Sequence, residues 1–254
     1  MKCMRQLFAS ADPRARVRHV LRCQHRLLCR MLAAWPRRGR RLLHLRCGDG
    51  AMLEHLWECG FDVSAYEPDP ELRLRAAQRR PLRAEVGGGA ADSLPYDDDA
   101  FDYTVLSLRG EDDEAALREA WRVTARSILL LGWNSLSPSR LLPGWLPQES
   151  RPAPNWWRAW RTLKTLQPES RCLLRSTLTL PGFCQRLPLL ANLDAVSIPL
   201  PLGMFMAVRA DFGSQAVRPS LPLSLLDRLR PRDASALMEG GGCGRCATKI
   251  SGKQ

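Results

Sequence analysis

The stretch from Arg41 to Asp69 constrains the fold of this chain more than any other. It contains an apolar run at residues 42–45, a glycine-rich turn at residues 46–50, an amphipathic segment and a second apolar run at residues 61–66. This order predicts a strand, a tight turn, a helix and a second, parallel strand. Glycine lets the backbone approach a ligand closely, and a helix N-terminus presents unpaired N–H groups. Glu67 follows the second strand, where an acid can accept hydrogen bonds from ribose hydroxyls, so the pattern indicates a nucleoside-type ligand.

Composition and charge place the chain among globular proteins with one sizeable core. It has 254 residues, of which 45% are apolar and 25% charged. The net charge is +12, and residues 1–41 contribute +11 of it, since they hold twelve Lys or Arg and one acid. No apolar run is long enough to cross a bilayer, and the N-terminus lacks the apolar segment of a signal peptide. We therefore expect a cytoplasmic protein whose nine scattered cysteines are reduced.

Three segments are expected: a basic helical segment at residues 1–40, a main domain at residues 41–212, and a Pro/Gly-rich, irregular tail at residues 213–254. In the first segment Asp12-Pro13 predicts a helix start, and apolar residues then recur at helical spacing, with Gln24 as the one polar member. We interpret this helix as packing on the main domain. Contact with nucleic acid or anionic lipid, or a place in the wall of a binding cleft, are the alternatives.

The rest of the main domain alternates predicted strands and helices. Strands are predicted at residues 82–86, 101–108, 127–133, 195–199 and 204–210. Helices are predicted at residues 69–80, 111–123, 155–166 and 181–192, and beyond residue 211 the one further element, of unassigned type, is at residues 223–229. Such alternation predicts a doubly wound, mostly parallel α/β sheet with helices on both faces. The short connection at residues 200–203 predicts that the strands on either side of it pair in antiparallel fashion.

Three motifs, in this order, resemble those of the class I S-adenosylmethionine-dependent methyltransferases, a family with a Rossmann-like fold. The resemblance spans residues 41–210. The motifs are the glycine turn Leu43-His44-Leu45-Arg46-Cys47-Gly48-Asp49-Gly50, the strand end Tyr66-Glu67-Pro68-Asp69, and Ala91-Asp92-Ser93-Leu94-Pro95-Tyr96 followed by Phe101-Asp102. A reversed last strand is also a trait of the family.

The resemblance implies an enzyme that binds S-adenosylmethionine and transfers its methyl group to a small-molecule or lipid-like acceptor. It implies binding of the cofactor by the residues of the three motifs and of the end of the fourth strand. These residues are His44, Arg46, Cys47, Gly48, Asp49, Gly50, Glu67, Pro68, Asp92, Ser93, Ser107 and Leu108. No general base stands out near the end of the fourth strand, and methyl transfer can proceed largely through proximity and alignment.

Two residues depart from the family pattern, which usually has an acid in place of His44 and a glycine in place of Arg46. A guanidinium group at position 46 would repel a sulfonium cation unless it points away or pairs with an acid such as Glu67 or Asp69. A non-catalytic binding or scaffold protein with the same fold is therefore the alternative function. A nucleotide-linked oxidoreductase ranks third, because the turn lacks the third glycine of the dinucleotide fingerprint.

Cysteine and histidine residues yield no predicted metal site. Cys243 and Cys246 have metal or redox spacing, but no second pair completes four ligands, so we interpret them as part of the irregular tail. His44 is interpreted as a buried, hydrogen-bonded histidine, and Cys47 as a small apolar side chain beside the ligand.

Overall fold

The structure is a computed structural model that describes residues 13–79, 84–110, 112–134, 137, 154–177 and 197–212, with side chains from residue 21 onward. The helices in these ranges are α1 (Pro13–Leu32), α2 (Leu53–Glu58), α3 (Pro70–Arg79), α4 (Asp113–Arg122) and α5 (Trp156–Leu166). The strands are β1 (Arg41–Leu45), β2 (Asp62–Tyr66), β3 (Glu85–Gly87), β4 (Phe101–Ser107), β5 (Thr124–Trp133), β6 (Arg171–Thr177), β7 (Ser197–Ile198) and β8 (Phe205–Asp211). Three sequence predictions lie outside the described residues: the helix at residues 181–192, the element at residues 223–229, and the pair Cys243 and Cys246.

All eight strands form one sheet in the order β3-β2-β1-β4-β5-β8-β6-β7. β1 to β5 run parallel, with β1 between β2 and β4. β8 is antiparallel to β5 and to β6. The strand order thus reverses at β1, and the ends of β1 and β4 form the crevice where open α/β sheets bind ligands. The predicted α/β fold with a reversed last strand is confirmed.

Helices cover both faces of the sheet. On one face α1, α2 and α3 pack against alternate residues of the central strands, among them Leu42, Tyr103 and Leu129. On the other face α4 and α5 pack against the intervening residues, such as Leu43 and Leu130. Burial on both faces explains why β4 is buried along most of its length and why residues 128–133 of β5 are continuously apolar.

The N-terminal helix α1 is an integral part of the first of these faces. Leu27, Leu28, Met31 and Leu32 are fully buried, and the chain beyond the helix places Trp35 parallel to the ring of Tyr103, with 4.3 Å between centroids. The helix contacts β6 and β8, and the guanidinium of Arg209 in β8 donates to the Met31 carbonyl at 2.7 Å. No helix among the described residues is long and apolar enough to span a membrane.

Local signals explain several helix starts. The Asp69 side chain accepts hydrogen bonds from the backbone N–H groups of Glu71 and Leu72 in α3, and Asn155 accepts one from Arg158 in α5. Both residues are typical helix caps. The predicted helix at residues 155–166 is confirmed on this basis.

The C-terminal part of the sheet differs from the prediction. β6 was not predicted, and it lies between β7 and β8, pairing with each in antiparallel fashion. β7 and β8 therefore do not pair with each other, and the expected antiparallel pair across residues 200–203 is wrong. The connection is short enough for a hairpin, but it crosses the end of β6 instead of folding back on β7.

Candidate functional site

The glycine turn after β1 has three residues in the left-handed backbone region, Arg46 (φ 58°), Gly48 (φ 68°) and Gly50 (φ 78°). The backbone N–H of Arg46 donates to the Tyr66 carbonyl at 2.7 Å, which ties the turn to the end of β2. A Cβ atom on Gly50 would lie 2.9 Å from the Cα of Ala76 in α3. Gly50 therefore permits close packing of the turn on α3, whereas a Cβ on Gly48 would meet only the tip of Arg109.

Glu67, at the end of β2, is fully buried and makes four hydrogen bonds. One carboxylate oxygen accepts from the backbone N–H of Gly48 at 2.6 Å and from Arg109 at 2.5 Å. The other accepts from Arg109 at 2.8 Å and from the backbone N–H of Asp69 at 3.2 Å. A carboxylate has about four lone-pair positions, so every acceptor position of Glu67 is in use. The bidentate Arg109 pair is the strongest part of this network.

The guanidinium group of Arg46 forms an ion pair with Asp113. It donates to the Asp113 carboxylate at 2.8 Å and to the Asp112 carbonyl at 3.3 Å. Both side chains of the ion pair are only 8% exposed. Asp113 also accepts from the backbone N–H groups of Arg109 and Gly110. The positive charge of Arg46 is thus compensated within the protein, and the expected alternative, pairing with an acid, is the one observed, although the acid is Asp113 and not Glu67 or Asp69.

His44 lies in the middle of β1 and is fully buried. Its Nε2 atom is 3.2 Å from the Ser107 hydroxyl at the end of β4, and its Nδ1 atom is buried without a hydrogen-bond partner. Burial, followed by the charge of Arg109, lowers the pKa of His44 to about 3. The imidazole is therefore neutral at physiological pH and acts as a poor proton acceptor.

A cavity of about 220 Å³ opens beside the turn, at the carboxyl ends of β1 and β4. Its walls come from the turn, β4, β5, β8 and α1. They are formed by Leu21, Gln24, His44, Arg46, Cys47, Gly48, Asp49, Ala51, Met52, Ser107, Leu108, Arg109, Leu131, Gly132, Trp133 and Phe205. Burial raises the pKa of the Cys47 thiol to about 12, so this cysteine contributes an uncharged surface to the wall.

Most, but not all, of the residues predicted to bind the cofactor meet at this cavity. His44, Arg46, Cys47, Gly48, Asp49, Ser107 and Leu108 line it. Glu67 reaches its edge through Gly48 and Arg109. Gly50 faces α3 instead, and Pro68, Asp92 and Ser93 are outside the lining, with the last two exposed.

Several lining residues were not predicted as site residues, and Arg109 is the most consequential. Arg109 could have been predicted from the sequence, because a carboxylate buried at a strand end needs a nearby cation, and Arg109 follows a strand of the same sheet. Gln24 is the polar member of the α1 stripe, and its place in the cavity wall accounts for that polarity. The rings of Trp133 and Phe205 meet edge to face in the cavity wall. Their position there could not be predicted without knowing that β8 pairs with β5.

The described residues match S-adenosylmethionine in kind. A glycine turn next to an acid at the end of β2 can hold a ribose, and here the Gly48 amide donates to that acid, Glu67. In the observed arrangement, however, Arg109 occupies the acceptor positions of Glu67 that the ribose hydroxyls would use.

Comparison with known proteins agrees with this geometry. The family of methyltransferase domains matches residues 43–130, which contain the turn, Glu67, β4 and most of β5. No curated protein matches the chain in sequence.

Solved structures of methyltransferases share the fold. A SAM-dependent methyltransferase from Thermotoga maritima superposes with a TM-score of 0.52 and 17% identity, covering 74% of this chain and 91% of that chain. One from Aquifex aeolicus gives 0.51 and 14%, covering 84% and 98%. Magnesium protoporphyrin IX methyltransferase from Synechocystis, solved with bound SAH, gives 0.56 and 11%, covering 82% and 92%. Residues 43–130 therefore match the family of methyltransferase domains, and the solved structures show that the chain shares the fold of S-adenosylmethionine-dependent methyltransferases.

Proposed function

We propose that this chain binds S-adenosylmethionine in the cavity beside the glycine turn and methylates a small-molecule or lipid-like acceptor. The contact between the Gly48 amide and the Glu67 carboxylate is the observation that carries the proposal. It brings two predicted binding groups from separate motifs together, at the point where the strand order reverses. The apolar wall formed by Leu21, Met52, Trp133 and Phe205 supports an acceptor with an apolar portion.

The cofactor supplies an electrophilic methyl group on a sulfonium centre, and the protein positions the reactants around it. His44 and Cys47 are poor choices for proton transfer near pH 7, because burial lowers the pKa of the first and raises that of the second. Alignment and exclusion of water are the contributions this cavity can make. The acceptor nucleophile is therefore expected to need little help from a protein base.

Arg109 controls access to the ribose-binding acid. The Arg109 side chain is 20% exposed, and its guanidinium donates a hydrogen bond to each carboxylate oxygen of the fully buried Glu67. Ribose hydroxyls must compete with this bidentate pair, so Arg109 has to swing outward when the cofactor binds. The observed arrangement is thus a closed state. The free energy needed to open the Arg109–Glu67 pair makes the apparent binding of the cofactor weaker than that of an already open site.

The test is calorimetric titration with S-adenosylmethionine and S-adenosylhomocysteine. Wild type should bind both. Arg109→Gln, which replaces the charged bidentate donor to Glu67 with a neutral amide, should bind about tenfold more tightly because less closed-state free energy must be overcome. Arg118→Gln is the matched control, since Arg118 makes only an exposed pair with Glu114. Equal affinities in all three proteins would show that Arg109 does not compete with the cofactor.

A non-catalytic scaffold is the second candidate, and two observations favour it. Every acceptor position of Glu67 is in use, and the cavity of about 220 Å³ is smaller than the roughly 300–1,000 Å³ of typical ligand pockets. For a scaffold, neither cofactor form should release heat at millimolar concentration, even with folded Arg109→Gln. That result would overturn the proposed methyl transfer.

A further inference from the structure

Two His-x3-Cys pairs face each other where α1 meets α2. His25 and Cys29 lie in α1, and His55 and Cys59 lie in α2 and at its C-cap. A spacing of four places both members of a pair on the same side of a helix. The backbone N–H of Cys59 donates to the His55 carbonyl at 3.0 Å, so the helical geometry extends through the second pair.

The donor atoms of Cys29, His55 and Cys59 converge, and the His25 ring lies beside them. The Cys29 Sγ atom lies 2.9 Å from the His55 Nε2 atom, and the Cys59 Sγ atom lies 3.9 Å from the same nitrogen. All three donor atoms are within 4.8 Å of one another. The His25 ring stacks on the His55 ring, with 4.6 Å between centroids and 2° between planes. These residues are not part of the cavity wall.

We propose that Cys29, Cys59 and His55 bind a zinc ion, with His25 completing a Cys2His2 set. Zinc prefers thiolate and imidazole ligands in a tetrahedron, at about 2.3 Å for sulfur and 2.0 Å for nitrogen, which separates ligand atoms by roughly 3.3–3.8 Å. The observed separations need small side-chain shifts to reach this geometry. Binding releases the protons of the two thiols, and the resulting pair of thiolates neutralises the charge of Zn²⁺.

One feature supports a metal over a simple hydrogen-bonded cluster. The His25 Nε2 atom is buried and has no hydrogen-bond partner, which a cluster without metal leaves unexplained. A metal at this position would fasten α1 to α2.

The experiment measures metal in the full chain after reduction. Cys243→Ser and Cys246→Ser are introduced together as the background, so that the tail cysteines cannot contribute. We expect one zinc ion per chain, and Co²⁺ in its place should give the absorption of a tetrahedral thiolate site. Cys29→Ser, Cys59→Ser and His55→Ala should each lose the ion.

Two further variants sharpen the result. Cys172→Ser is the matched control, because this half-buried cysteine lies in β6, outside the cluster, and should keep the ion. His25→Ala should weaken zinc binding by about tenfold or more, as expected for removal of a fourth ligand or its supporting group. Far-UV circular dichroism confirms that each variant is folded.

A measurement on unmutated protein covers the case in which variants fail to fold. Zinc should protect Cys29 and Cys59, but not Cys172, from alkylation. Equal labelling of all three cysteines with and without zinc would overturn the proposal. So would zinc that disappears with the tail cysteines, or a Cys29–Cys59 disulfide that forms while the reduced protein takes up no metal.

Discussion

Arg46 adopts a left-handed backbone conformation at a turn position where the family usually has glycine. Such a conformation costs about 1 kcal/mol or more for a residue with a side chain, and the buried ion pair with Asp113 offsets it. Arg46 therefore joins the turn to α4, and its charge does not face a ligand alone. Arg46→Gly is therefore not expected to tighten S-adenosylmethionine binding by removing a repulsive charge.

Replacing Arg46 should destabilise the fold instead. Arg46→Ala keeps the strained turn and leaves Asp113 buried with only its two backbone donors, so we expect a loss of about 3 kcal/mol in the free energy of unfolding. Urea denaturation measures it. Arg118→Ala, which breaks the exposed i,i+4 pair with Glu114, should cost only about 0.3–0.5 kcal/mol. Similar losses in the two variants would contradict a structural role for the Arg46 pair.

His44 should make stability depend on pH. Its pKa is about 3 in the folded protein against an ordinary value of 6.5, so between these values the unfolded chain binds more protons than the folded one. The contribution of the neutral imidazole is complete above pH 6.5 and is lost as the pH falls toward 3, by up to about 1.4 kcal/mol per pH unit.

Urea denaturation between pH 6.5 and 5 tests this dependence. His44→Asn should flatten the decline in unfolding free energy relative to wild type, because the residue that titrates has been removed. Ser107→Ala, which removes the hydrogen-bond partner but keeps the imidazole, should retain the wild-type slope. Parallel curves for wild type and His44→Asn would rule out His44 as the source.

At the scale of elements, the sequence predicted those whose local signals agree with their tertiary setting. β1, α2 and β2 form as expected, with bounds shifted by one or two residues, because the apolar period, the glycine turn and the strand-end acid all indicate the same unit. β4 was indicated by its aromatic and β-branched residues, and β5 by a nearly continuous apolar run that is typical of strands covered on both faces.

β6 could not be predicted from local sequence patterns. Most of its side chains are only partly buried, and the segment Arg171-Cys172-Leu173-Leu174-Arg175 lacks a clean two-residue period. Its place between β7 and β8 is set by long-range pairing, which no local pattern encodes. The same limit applies to the functional residues. The motif residues could be identified from the sequence, whereas the role of Arg109 depends on contacts between elements distant in sequence. The same is true of the separate cluster of Cys29, His55 and Cys59. The two His-x3-Cys spacings were the one local sign of that cluster.

At the scale of the whole molecule, the basic N-terminal helix and the sheet share one hydrophobic core. Residues of α1 pack in the same cluster as residues of β1, β4, β5 and β8, and Trp35 donates from its Nε1 atom to Asp211 at the end of β8. Because the two segments share one core, unfolding of α1 would expose apolar residues of the sheet to water. We therefore predict that α1 and the sheet unfold as one cooperative unit.

Leu28→Ala tests this cooperativity. Leu28 is fully buried in α1, so its truncation should cost about 2–5 kcal/mol. If α1 and the sheet are one unit, far-UV and near-UV circular dichroism should report a single transition that moves to lower temperature as a whole. Arg26→Ala, on the exposed side of the same helix, should leave the midpoint nearly unchanged. An early helical transition in Leu28→Ala, followed by sheet unfolding at the wild-type temperature, would show instead that α1 is an appendage.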